Sequence, residues 1–171
     1  IGFGKGGKTL AGKLAKTGKS VALIEKDPNM YGGTCINVGC IPSKSLIHSA
    51  ASANPCGDAA EKTKKYREAI DEKRRLTKML RTKNYDKLAS SPNITIYDGT
   101  ARFVERSKIE VETGGKSIII EGDKIFINTG STPRIPPIRG LSTTPGVYTS
   151  AELMNLETFP EKLTIIGGGY I

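Results

Sequence analysis

The stretch Gly2-Phe3-Gly4-Lys5-Gly6-Gly7-Lys8-Thr9 constrains the fold more than any other part of the chain. Gly2, Gly4 and Gly7 fit G-x-G-x-x-G, the turn that carries a strand into a helix beneath a dinucleotide. Gly2, Gly7, Lys8 and Thr9 also fit G-x-x-x-x-G-K-T, the phosphate loop of nucleotide hydrolases. Either way, backbone N–H groups at a helix start are aimed at phosphate. The surroundings suit both motifs. Ile1 reads as the end of a buried strand, and a helix follows to about Thr17 with Leu10, Ala11 and Leu14 on one face. Gly18 stops it. Val21-Ala22-Leu23-Ile24 then reads as a strand buried on both sides, which completes a βαβ unit.

The residues beyond the turn separate the two motifs. A dinucleotide fold places an acid about 20 residues on, at the end of the second strand, to bind a ribose hydroxyl, and Glu25 stands there. A hydrolase needs an apolar strand ending in a magnesium-binding Asp. Ile94-Thr95-Ile96-Tyr97-Asp98 and Ile118-Ile119-Ile120-Glu121 are poor candidates for it. The phosphate-loop reading also leaves a cysteine pair unexplained. Dinucleotide binding is the expectation, and a phosphate-loop NTPase built on Gly2 to Thr9 is the alternative.

That pair lies in Gly-Gly-Thr-Cys-Ile-Asn-Val-Gly-Cys-Ile-Pro-Ser-Lys, residues 32 to 44, where Cys35 and Cys40 stand five apart. On a regular helix five residues rise about 7.5 Å and turn about 140°, more than a disulfide normally bridges. A bond between them needs a distorted turn, for which Gly39 supplies a permissive backbone. A strained bridge is readily reduced, so the pair reads as one that opens and closes. Two alternatives are buried structural thiols and a zinc site with His48 or Cys56. The second is poorly supplied by three Cys and one His.

Residues 32 to 44 resemble the redox-active disulfide segment of the class I pyridine nucleotide-disulfide oxidoreductases. These flavoproteins include dihydrolipoamide dehydrogenase, glutathione reductase, mercuric reductase and the reactive-chlorine-resistance enzymes. The agreement runs through thirteen contiguous positions. The resemblance implies an α/β fold: a Rossmann-like FAD-binding domain over residues 1–146, with a parallel sheet, helices and a β meander. A crossover and the start of an NAD(P)H-binding domain would occupy 147–171. The chain would then be a fragment of a flavoprotein with two dinucleotide domains, its first strand truncated.

By the same resemblance Gly2, Gly4 and Gly7 lie under the FAD pyrophosphate, and Glu25 and Lys26 at the adenosine ribose. Gly33 and Thr34 border the flavin phosphates, and Gly99 and Ala101 flank the adenine. Thr129 and Gly130 form the turn where the chain crosses onward, and Gly167 and Gly169 open a second fingerprint for NADH or NADPH. Cys35 matches the interchange thiol, Cys40 the thiol against the flavin, and Lys44 the lysine near flavin N5. His48 matches no acid–base group, which in this family comes from the partner subunit. Cys56 matches no redox residue. The implied activity passes electrons from NAD(P)H through FAD and the Cys35–Cys40 disulfide to a disulfide, a metal ion or an oxidant. The implied protein is a cytoplasmic homodimer with no bound metal, nucleic-acid partner or membrane span. Met30-Tyr31-Gly32-Gly33, residues 124–130 and residues 143–148 are most similar to the reactive-chlorine-resistance branch.

The formal charge is +9, from 26 Lys and Arg against 17 Asp and Glu. The excess, concentrated in 5–26 and 62–87, reads as solvated helix faces, since no aromatic-rich strand or recognition helix accompanies it. A non-catalytic basic binding module is nonetheless a third option. Asn93-Ile94-Thr95 fits a glycosylation pattern that matters only in a secretory context. Further along, the spacing predicts a helix from the redox stretch to about Ala53. A second, capped by Asp58, runs to about Thr82 with Tyr66, Ile70, Leu76 and Leu80 as its apolar stripe. Short strands follow at 94–97, 101–104, 108–112, 117–121 and 124–128, with a turn at Thr113-Gly114-Gly115. A linker spans 130–146, and Leu163 to Ile166 enters a last strand. Lys8 divides the two glycine-turn readings. In the dinucleotide reading it is exposed, and Lys8→Ala leaves FAD affinity near wild type by fluorescence titration. In a hydrolase the same change abolishes nucleotide binding.

Overall fold

β1 (Val21–Glu25) and β2 (Ile94–Asp98) pair in parallel, with Val21 opposite Ile94 and Glu25 opposite Asp98. In the computed structural model, which describes residues 1–169, this sheet centres the first of two units, Ile1–Asn37 with Thr77–Ser131. The second unit holds Val38–Leu76 and the chain from Thr132 onward. The mixed α/β architecture, parallel sheet plus antiparallel meander, is the one expected.

Two further segments extend the parallel sheet without forming regular strands. Gly2 N donates to Ile24 O at 2.8 Å, Ile1 N to Phe126 O at 2.7 Å, and Asn128 N to Ile1 O at 2.8 Å. The extended segments therefore lie in the order 126–128, Ile1, β1, β2. The stretch expected as a strand at 124–128 is extended here and is held by these contacts with Ile1.

Leu23 and Ile24 point to opposite faces of β1, as alternation along a strand requires. On Leu23's side, α1 (Lys5–Lys16) contributes Ala11 and Ala15, and Phe3, Tyr31, Leu88 and Ile94 complete one core cluster. On Ile24's side lies the meander of β3 (Thr100–Phe103), β4 (Lys108–Thr113) and β5 (Lys116–Glu121), through Ile109 and Val111. The β4–β5 loop has Gly114 at φ +54 and Gly115 at φ +74, the two left-handed positions that a tight two-residue hairpin turn needs.

Thr34–Asn37 forms the short helix α2, and Cys40–Ala51 forms α3, with Pro42 in its first turn as its missing N–H allows. Next comes α4 (Ala59–Ala89), which Asp58 caps by accepting from Glu61 N at 2.8 Å. It runs seven residues past the end expected at Thr82. No Gly or Pro lies between Asp58 and Pro92, and burial of Leu88, 5% exposed, rewards the extra turns. Residues 59–76 of α4 belong to the second unit and 77–89 to the first.

In the second unit the start of α4 holds the segment after the linker. α5 (Ser150–Leu153) opens with a capping box between Thr149 and Glu152. Tyr66 donates its hydroxyl to Leu156 O at 2.7 Å and stacks on Phe159, and Arg74 pairs with Glu157. Lys73 falls on the stripe read as apolar. It is only 3% exposed and donates to Met154 O at 2.7 Å and Asn155 Oδ1 at 2.6 Å. Among the described residues Leu163 to Ile166 forms no strand, and Leu163, Ile165 and Ile166 are exposed. Gly167 and Gly169 follow it, and Tyr170 and Ile171 lie outside the described residues.

Phe3 is fully buried and stacks on Tyr31 at 4.9 Å between ring centres. Phe3→Ala should cost about 3–5 kcal/mol of unfolding free energy, read as a lower urea midpoint at unchanged slope.

Candidate functional site

The glycine turn sits at the carboxyl end of β1, and two of its motif glycines, with Gly33 beyond them, answer to specific close approaches of backbone. Gly2, at φ +100, would place a Cβ 2.1 Å from Asn128 O, and Gly7 would place one 2.2 Å from Gly2 O. A Cβ on Gly33, at φ +80, would stand 2.5 Å from Gly4 Cα. No side chain fits any of these contacts. They bring the starts of α1 and α2 together, backbone to backbone. Lys8 N makes the first helical bond of α1, to Gly4 O at 3.0 Å, so the N–H groups of Lys5, Gly6 and Gly7 precede the intrahelical ladder.

Glu25 closes β1 beside this turn. Its Oε2 accepts from Phe3 N at 2.9 Å and its Oε1 from Asp27 N at 3.2 Å. The acid therefore has a structural task the sequence did not disclose, and each oxygen keeps a lone pair for a hydroxyl. Gly99 donates its N–H to Glu25 O at 2.8 Å, and a Cβ there would meet Glu112 O at 2.3 Å. Ala101 stands two residues on, paired with Val111. Lys26, Thr34 and Thr129 are exposed, and Gly130 turns the chain at φ +76. The first unit thus gathers Gly2, Gly4, Gly7, Glu25, Lys26, Gly33, Thr34, Cys35, Gly99, Ala101, Thr129 and Gly130. In the second unit Cys40 opens α3, Lys44 and His48 follow at one-turn intervals, and all three are exposed, as is Cys56 in the loop beyond. No disulfide joins Cys35 and Cys40 in this structure, so the bond expected between them is not formed here.

Lys8 departs from expectation. It is half-buried, not exposed, and its Nζ donates to Asn84 Oδ1. Burial holds its pKa below the ordinary lysine range, the charge of Cys35 opposes that shift, and Lys5 and Lys87 add to it. A hydrolase's phosphate lysine would need that ammonium free. The sequence reading missed Asn84 because it ended the helix before that position. It also passed over Asn128, whose carboxamide lies over the turn: a Cβ on Gly6 would meet its Oδ1 at 2.9 Å, and one on Gly7 its Nδ2 at 3.0 Å.

A family model of pyridine nucleotide-disulphide oxidoreductases matches residues 1–171. The chain belongs to that family. The resemblance drawn from the redox segment is borne out, and the phosphate-loop NTPase is set aside. Over 171 residues the chain is 50% identical to the protein described as probable pyridine nucleotide-disulfide oxidoreductase RclA of Escherichia coli (strain K12). It is 36% identical to a dihydrolipoyl dehydrogenase of Haloferax volcanii and to a mercuric reductase of Streptomyces lividans. These alignments cover all of this chain but 36–37% of each relative. The solved structure of the HOCl-induced flavoprotein disulfide reductase RclA from Escherichia coli matches with a TM-score of 0.88 at 49% identity, over 99% of this chain and 36% of that one. Its Cu(II) complex matches at 0.89 and 48%, with the same coverage. No helix among the described residues is long and apolar enough to cross a membrane.

Beside the oxidoreductase turn, Tyr31 donates its hydroxyl to Asp98 Oδ1 at the end of β2. Burial first, and then that bond, push the phenol above the ordinary tyrosine range. The folded state holds this proton more tightly than the unfolded one does. The resulting stabilisation is therefore complete below about pH 10 and is lost as the pH rises further. Tyr31→Phe should flatten the fall in melting temperature between pH 9 and 11 (about 10 being the ordinary tyrosine pKa), measured by thermal unfolding.

Proposed function

We propose that this chain is the FAD-binding part of an NAD(P)H-dependent flavoenzyme whose Cys35 and Cys40 carry two electrons to an acceptor. The observation that carries the reading is the glycine turn at the carboxyl end of β1, with Glu25 pinned at its edge. Such crevices at strand carboxyl ends are where doubly wound sheets bind dinucleotides. The residues present fit that group. Gly2, Gly4 and Gly7 leave the backbone bare, the first N–H groups of α1 point out of the helix, and Glu25 retains acceptor capacity.

Gly2, Gly4, Gly7, Gly33 and Thr34 would hold the FAD phosphates, and Glu25 and Lys26 the ribose. Gly99 and Ala101 would flank the adenine, and Thr129 and Gly130 would shape the crossing beyond. FAD, when bound, supplies the two-electron exchange between a nicotinamide and the thiol pair. In the domain reading, 1–146 form the FAD domain and 147–171 the crossover and start of the NAD(P)H domain, with Gly167 and Gly169 in its fingerprint.

Cys35 is the attacking thiol. With a disulfide acceptor, its thiolate displaces one sulfur to form a mixed disulfide. Cys40 then attacks Cys35 Sγ, so the pair closes and the acceptor leaves as two thiols. Closing the dithiol releases two electrons and two protons, which also suits a metal ion or an oxidant. The relatives' names, mercuric reductase and flavoprotein disulfide reductase, support a metal ion or a disulfide as the acceptor here. Lys44, one helical turn beyond Cys40, supplies positive charge to the reduced site. A reducing cytoplasm suits a catalytic disulfide, and the whole enzyme is read as a homodimer there.

The test is the visible spectrum of the full-length protein before and after two-electron reduction. A flavin spectrum that gains a long-wavelength thiolate band, absent in Cys40→Ser, supports the reading. Colourless protein that cannot be reconstituted with FAD overturns it. A flavin-bearing Cys40→Ser variant that still oxidises NAD(P)H with Cu(II), Hg(II) or a disulfide at the wild-type rate removes the thiol pair from the mechanism.

A further inference from the structure

The close contact of Gly4 and Gly33 has a chemical consequence, because Lys8 stands one turn along α1 from the first glycine and Cys35 two residues beyond the second. Lys8 and the short helix that bears Cys35 are each braced by α4. Asn84 accepts from Lys8 Nζ through Oδ1 and donates through Nδ2 to Leu80 O at 2.6 Å, which fixes its oxygen towards the lysine. One turn earlier, Arg81 Nε donates to Asn37 Oδ1 at 3.0 Å, and its Nη1 to Asn29 Oδ1 at 3.0 Å. Asn37 in turn donates to Tyr31 O and Gly33 O, both at 3.0 Å, and so holds the short helix that bears Cys35. A lysine free to extend into water would need none of this bracing.

We propose that Lys8 is the positioning residue that sets the reactivity of Cys35, its ammonium holding the sulfur as the thiolate. The inference rests on the reading of Cys35 as the attacking thiol and adds the group that activates it. The charges acting on Lys8 agree: Cys35 is its attractive partner, whereas Lys5 on α1 and Lys87 on α4 repel it. Arg81 on α4 adds a further cation beside the cysteine's helix. Tyr31 is neutral over the working range, since its proton is held by Asp98. Lys8 is half-buried whereas Lys5 and Lys87 are exposed, so salt screens its charge less than theirs. The carboxylates of Glu25 and Asp98 are engaged with Phe3 N, Asp27 N and the Tyr31 hydroxyl.

The experiment follows the rate of iodoacetamide alkylation at Cys35 against pH in the reduced full chain, resolved by peptide mass spectrometry. Cys56, exposed in its own loop, is the internal control. Lys8→Met should move the midpoint of the Cys35 profile upward by about one pH unit or more, the usual effect of removing an adjacent opposite charge. Lys8→Arg should restore most of it, and Cys56 should not move. Superimposable Cys35 profiles in wild type and Lys8→Met overturn the proposal. So does equal movement of Cys56. If Lys8→Met does not fold, Asn84→Ala, which keeps the charge but releases it, decides in its place: an upward midpoint supports the proposal and an unmoved one overturns it. The assay needs neither flavin nor acceptor. A failed flavin spectrum with a shifted alkylation profile would therefore count against the flavoenzyme alone.

Discussion

A Cβ on Gly33 would stand 2.5 Å from Gly4 Cα, and one on Gly2 would stand 2.1 Å from Asn128 O. These absences of side chain let three backbone segments meet at the end of the parallel sheet. The start of α1 comes from the first, the start of α2 from the second, and the extended stretch at Asn128 from the third. Elsewhere in the first unit, packing is carried by ordinary burial around Leu23 and Ile24. Here it depends on steric permission, and substitution at any of these glycines would push whole segments apart.

Around this turn polar side chains do more than face a ligand. Glu25 ties β1 to the turn through Phe3 N, and Tyr31 ties the segment before α2 to Asp98 on β2. Asn84 and Arg81 bring α4 against Lys8 and Asn37. Charged and amide groups that are this well satisfied restrict motion where a cofactor or thiol must be held in one place. The second unit uses the same device with Lys73, whose buried ammonium is satisfied by a carbonyl and an amide oxygen.

Much of this was legible in the chain itself. The glycine spacing, the apolar run closed by Glu25 and the glycine pair at 114 and 115 each depend on local backbone or period-two patterning, which a sequence displays. The ends of elements were harder to read. α4 outran its expected end because Leu88 gains burial only once the sheet is assembled. Neither 124–128 nor 163–166 forms a regular strand among the described residues. Lys73 broke its stripe, since a lysine joins an apolar face when distant oxygens receive it.

The sequence by itself determined the βαβ unit, the glycine turn, the acid that follows it and the spacing of Cys35 and Cys40, because each is set by residues near one another along the chain. Tertiary structure alone decided what those residues touch. It turned Lys8 from an expected surface residue into one braced by Asn84, engaged Glu25 with the backbone and laid the Asn128 carboxamide over the glycines. The partners lie 22 to 76 positions away for Glu25 and Lys8. No local pattern encodes contacts at that separation; they arise only when burial of the two faces of β1 draws the segments together.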